Sequence, residues 1–260
     1  MLLHHHGIPI ESMAAWAAAV AGPVLGRWKP GNPGHDLARA WCPEGRAPGL
    51  PAELEALLIE TPGELGRVEV LRAEPQALTR ETPGAVVRME ARSKRGLVAV
   101  RVLGWGDAPF GSRVETELRT AVQSIARDVD TDKVETIRYL ARTLLAPTPE
   151  EPVGGAAVPN PTPALEPLGA LRWELLRQIG EARTQALEAG MECALFVLHE
   201  IVSLGGTRES RRRNNREDLD RFVRRLSGGT IPRLQRGVVS GPVALPGVQL
   251  YLGKVRRDLP

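Results

Sequence analysis

Residues 85–103, AVVRMEARSKRGLVAVRVL, decide the fold. The second half, residues 97–103 (LVAVRVL), is rich in β-branched residues and mostly apolar, as a strand buried on both faces must be. The first half, residues 85–91 (AVVRMEA), alternates imperfectly and reads as its neighbour. Lys94, Arg95 and Gly96 lie between them as a hairpin connection. Two adjacent antiparallel strands at the centre of a sheet follow.

Outward from this hairpin the pattern changes to helices. Upstream lie a short strand at residues 68–72 and, before it, residues 51–60 (PAELEALLIE), predicted to form a helix with Pro51 in its first turn. Downstream, Val114, Leu118, Val122 and Ile125 recur at helical spacing, and so do Val134, Ile137, Leu140, Ala141 and Leu144. A long helix over residues 171–189 carries Leu171, Leu175, Ile179 and Ala182 on one face, and Gly190 ends it. Residues 193–202 (CALFVLHEIV) form a buried strand. Asn215 caps a further helix with Leu219, Phe222, Val223 and Leu226 inward, stopped by Gly228 and Gly229. Residues 248–252 make the last strand. Strands first in a meander and then through helical crossovers imply an α/β fold with a mixed central sheet flanked by helices.

At the N-terminus, residues 11–20 read as a short helix, and Leu2 to His6 as a disordered start. Trp28 to Gly34 is turn chemistry, and residues 35–41 form a helical turn or two. Residues 147–167 hold seven prolines and the pair Gly154-Gly155, a linker-like excursion too poor in apolar side chains to offset its ordering entropy. The expected organisation is an N-terminal helix and tail at 1–25 and one domain at 26–258, interrupted by that excursion.

Composition narrows the function classes. A 42% hydrophobic and 25% charged chain of 260 residues can fold around a sizeable core. Lysine is confined to Lys29, Lys94, Lys133 and Lys254, and the other thirty of the 34 basic residues are arginine. The net charge of +3 is small and does not by itself indicate a polyanion ligand. Cys42 and Cys193 are too few for a disulfide framework, and no apolar run is long enough for a membrane span. The expectation is a cytoplasmic protein without membrane contact.

The helix–three strands–helix–strand order is that of restriction-endonuclease-like (PD-(D/E)XK) nucleases. Specific residues resemble an uncharacterised bacterial domain family, a domain of unknown function. They are Trp28-Lys29-Pro30-Gly31 with Leu37-Ala38 and Trp41, the strand from Leu97 leading to Pro109-Phe110-Gly111, and Leu171-Arg172-Trp173-Glu174-Leu175-Leu176. The strand ending at His199 and the closing run from Leu250 to Arg256 complete the set. In that family the strand before Pro-Phe-Gly carries Glu-Gly-Lys, and an Asp lies near the start of the preceding strand. The resemblance implies a nuclease-like core in which two carboxylates hold a divalent metal and a lysine stabilises charge. Here the matching positions are Val86, Leu103 and Trp105, with neither a carboxylate nor an ammonium among them. The resemblance therefore implies no catalytic residues at that position, no metal and no cofactor.

Three function classes stay open. One is a catalytically inactive nuclease-like protein with a binding or scaffolding role, Trp105 filling vacated space or stacking on a planar ligand. Another is a metal-dependent nuclease with displaced ligands, drawn from Asp107, Glu90 and Glu174. The third is a pure protein–protein scaffold. A partner would be nucleic acid or another protein. Arg208, Arg211, Arg212, Arg213 and Arg216 are the nucleic-acid candidates, placed between the His199 strand and the next helix, where they either clamp phosphates or form a solvated loop. His199 reads as structural. The Gly205-Gly206 and Gly228-Gly229 pairs lack phosphate-loop spacing and read as turns.

Overall fold

The computed structural model describes residues 2–20, 28–44, 46–61, 63–76, 85–106, 108–145, 165–203 and 209–259. Strands β1 (Leu2–His5) and β2 (Ile8–Pro9) open the chain, followed by helices α1 (Met13–Val20), α2 (Pro33–Trp41) and α3 (Ala52–Ile59). Next come β3 (Glu69–Pro75), β4 (Ala85–Ser93) and β5 (Gly96–Trp105), then α4 (Val114–Ile125), α5 (Lys133–Leu144) and α6 (Trp173–Glu188). The chain closes with β6 (Cys193–Ser203), α7 (Glu209–Leu226), β7 (Val239–Leu245) and β8 (Val248–Leu259).

The strands form one mixed sheet in the order β2-β1-β3-β4-β5-β6-β8-β7. β3, β4 and β5 are an antiparallel meander, with Ser93 paired to Gly96 at the hairpin. β5, β6 and β8 run parallel, as strands joined by helical crossovers must. Alternation along the strands splits the core into two layers. Val98, Val100 and Val102 of β5 face α1–α3, where Trp16, Leu37, Trp41, Leu54 and Leu57 are buried. Ala99, Leu103 and Trp105 face the other layer, with Ile137, Leu175, Ile179, Leu219 and Phe222. The α/β class and the mixed, helix-flanked sheet are as the sequence predicts.

Several boundaries differ from expectation. Residues 2–5 are not a loose start: β1 pairs parallel with β3, and Leu3 is 5% exposed. β7 has no strand-like signature, because Gly241 and Pro242 interrupt it. It is an edge strand with a register shift between Ser240 and Val243, where a missing N–H is tolerated. β8 extends through its charged half to Leu259, since β6 pairs with it over its whole length. α7 begins at Glu209, so the arginine-rich run is helix and not loop. Arginine is a good helix former, and the turns that follow bury an apolar face. Asn215 therefore lies within the helix and caps nothing. On α4, Val122 and Ile125 are exposed, leaving Val114 and Ala121 as its buried contacts. The proline-rich stretch lies outside the described residues, apart from 165–167. Among the described residues, no helix is long and apolar enough to cross a membrane.

Candidate functional site

The position of Val86, Leu103 and Trp105 is packed core. Val86 and Leu103 are opposite one another across β4 and β5, and Leu103 is also in register with Leu198 of β6. Val86, Leu103 and Trp105 are respectively 4%, 0% and 1% exposed and belong to one hydrophobic cluster. The Trp105 ring lies 4.6 Å from that of Phe110, and its indole N–H donates to the Ala108 carbonyl. The hollow beside it measures about 10 Å³, at the lower limit for a single water molecule. No base or other planar ligand stacks there without displacing core side chains.

Of the displaced candidates that are described, Glu90 stands apart from this position and Glu174 is engaged by other side chains. Glu90 pairs with Ala99, and Trp105 lies six residues farther along β5, roughly 20 Å away at strand rise. Glu90 instead lines a separate hollow with Arg72, Arg88 and Glu188. Glu174 is 1% exposed and both its oxygens are taken: Arg177 donates to each, and Gln178 donates to Oε1 at 2.8 Å. Gln178 in turn accepts from buried Arg101 at 2.7 Å, and Arg101 also pairs with Glu181. Burial brings the Arg101 guanidinium down to about 10, with Glu181 opposing. This network ties α6 to β5 and leaves Glu174 little capacity for a metal. Asp107 lies outside the described residues.

The arginine cluster is divided by the helix. Arg211, Arg213 and Arg216 are exposed and Arg212 is half-buried, and Arg212 and Arg216 lie on the side of the helix that borders the hollow beside Trp105. Arg208 lies outside the described residues. Arg212 donates from Nε to Glu200 at 3.3 Å, and Asn215 donates to the Ala108 carbonyl at 2.8 Å, fastening α7 to the turn after β5. Arg172 joins the same turn, donating to Gly111 O and to Asp218.

What the structure assembles lies farther along the sheet. On the α7 face, the apolar rows of β6 and β8 change to charge at their carboxyl ends. Phe196 and Leu198 give way to Glu200, and Leu250 and Leu252 give way to Lys254 and Arg256. Helical spacing on α7 brings Arg216 and Asp220 over them, and the segment after α7 adds Arg233 and Arg236. Together they line a cleft of about 360 Å³.

Lys254 is 9% exposed, with Nζ 3.7 Å from Glu200. Burial lowers its pKa, and Glu200 opposes that shift. Burial raises the Asp220 carboxyl, against Lys254, Arg224, Arg216 and Arg233. Shifted groups converging in a cleft mark a candidate site. Glu200, Asp220, Lys254, Arg233, Arg236 and Arg256 are not among the site residues that the sequence predicts. The available signal was a rare lysine and a glutamate, each at a core-facing position of an otherwise apolar strand.

His199 faces the opposite layer, fully buried, with Nε2 2.8 Å from Glu53 Oε1. That is the environment of a structural histidine. His5, His6 and Glu74 could hold a metal ion: one ligand atom from each lies within 4.8 Å of the others. β1 pairing creates this grouping, although the His6 side chain is 81% exposed.

The profile of a domain of unknown function (DUF6946) matches residues 9–259. No curated protein and no solved structure matches the chain.

Proposed function

We propose that this chain, which belongs to the DUF6946 family of unknown function, is a nuclease-like protein that does not cleave and has a binding role. The observation that carries this is the burial of Val86, Leu103 and Trp105 as an apolar plug, at the positions that the resemblance matches to the metal ligands and lysine of a restriction-endonuclease-like core. A hard divalent cation needs oxygen ligands, and these side chains offer none. The backbone carbonyls of central strands are committed to the sheet ladder. The separation of Glu90 from Trp105 and the saturated hydrogen bonding of Glu174 also favour binding over a displaced cleavage centre.

The test is direct. Purified protein is titrated with Mg²⁺ and Mn²⁺ by calorimetry and incubated with labelled single- and double-stranded DNA and RNA. Neither saturable metal binding at this position nor cleavage is expected. Metal-dependent cleavage that survives rigorous purification and is lost in Asp107→Asn or Glu90→Gln would overturn the proposal.

A further inference from the structure

We infer that the cleft at the carboxyl ends of β6 and β8 is a binding site for a phosphate group, with Lys254 at its base. This gives the binding role proposed above a location, but it does not depend on the absence of cleavage. Five cations line the cleft (Lys254, Arg256, Arg216, Arg233 and Arg236) and two carboxylates face them, Glu200 and Asp220. They come from separate elements: β6, β8, α7 and the segment that follows α7. A solvated charged face on one helix does not produce such convergence.

Internal pairing does not exhaust the positive charge. Glu200 is shared by Lys254 and Arg212, and Arg256 is held by Asp258. Arg236 donates to the Arg256 carbonyl at 3.3 Å, so its guanidinium has further donors to offer. Arg216 and Arg233 make no ion pair among the described residues. A metal cation is disfavoured by this excess, whereas an anion is attracted to it.

The donor set suits phosphate better than a lone carboxylate. Guanidinium forks from different directions, together with one ammonium, match a tetrahedral group with several acceptor oxygens. Lys254 supplies the second observation. It is an ammonium almost removed from water: its ion pair with Glu200 stands at 3.7 Å, beyond good hydrogen-bonding distance, and Asp220 acts on it only through space. A bound anion would offset its desolvation. The volume exceeds what one phosphate needs and falls in the range that accommodates a small organic ligand.

The phosphate belongs either to a small free ligand such as a nucleotide or to a nucleic-acid strand, and the probes separate the two. Pyrophosphate, adenosine 5′-monophosphate and a single-stranded oligonucleotide with and without a 5′-phosphate are titrated into the full chain at low salt. Saturable binding of at least one probe is expected. Arg233→Ala and Arg216→Ala, both at exposed positions, should each weaken it about tenfold, the worth of one charge-assisted hydrogen bond. Arg213→Ala, exposed on α7 outside the cleft, is the control and should change binding less than about twofold. Lys254→Met should abolish binding, and its circular dichroism reports whether it folds.

If pyrophosphate or the nucleotide binds in this variant-sensitive way, the site takes a small ligand. If only the oligonucleotides bind, with the same sensitivity, the site takes a strand. No saturable binding of any probe, or equal binding by wild type, Arg216→Ala and Arg233→Ala, overturns the inference. Cleavage by the natural protein would overturn the non-cleaving proposal alone, and loss of cleft binding leaves that proposal standing.

Discussion

Leu103→Glu places a carboxylate in the cluster of Val86, Leu103 and Trp105 and tests whether that position can hold a charge. Leu103 is fully buried, with Val86 on one neighbouring strand and Leu198 on the other. A carboxylate there has no solvent, so the folded state should take up a proton and raise the group well above its unfolded value of about 4.3. The native state then binds a proton that the unfolded chain releases. Stability is retained at low pH and falls as pH rises, by about 1.36 kcal/mol per pH unit until the folded pKa is reached. If the group stays neutral up to pH 8, the accumulated loss is about 5 kcal/mol, comparable to the whole stability of many domains. Leu103→Gln, uncharged at every pH, isolates this charge effect from lost packing. Arg101 is the cation on the same face of β5, but it is already held by Gln178 and Glu181. Urea unfolding of both variants between pH 5 and pH 8, with and without Mg²⁺, reads the result. A flat pH dependence of the difference between the variants, or a gain in Leu103→Glu stability on adding Mg²⁺, would refute the view of this position as a sealed apolar plug.

Two further outcomes follow from other buried groups. Burial works to raise the Glu53 carboxyl, but the His199 hydrogen bond and the charges of His199 and Arg257 lower it further, so its folded pKa lies below the ordinary value. A depressed carboxylate stabilises above its unfolded pKa and loses that contribution as pH falls through the folded one. Glu53→Gln should therefore cost about 1–3 kcal/mol near neutrality and almost nothing in acid, and matched losses at pH 7 and pH 3 in denaturant titrations would contradict this. Cys42 is buried, and burial pushes its thiol up to about 11; burial raises Cys193 as well. Native protein should react with neither equivalent of a thiol reagent at pH 8 on the timescale of unfolded controls, and rapid labelling of either cysteine in folded protein would count against the packing.

The sequence by itself determined the α/β class, the β4–β5 hairpin, the buried β6 strand and the long α6 helix. Each is specified locally: a branched apolar run, a tight connection, or an apolar stripe at helical spacing between stop signals. It also supplied the identities of Val86, Leu103 and Trp105, which need no geometry. Only the tertiary structure decided what surrounds those side chains. It joined Leu2–His5 to β3, extended β8 through its charged end, and made the arginine run the start of a helix. The cleft was least legible. Arg216, Asp220 and Arg233 each look like an ordinary surface charge along the chain, and Glu200 and Lys254 like isolated charges in apolar strands. They meet because β6 and β8 pair in parallel with one particular register, which places Glu200 beside Lys254 on the α7 face. A shift of one residue would turn either side chain to the opposite layer. That register is fixed by contacts distant in sequence, so local pattern along the chain does not contain it.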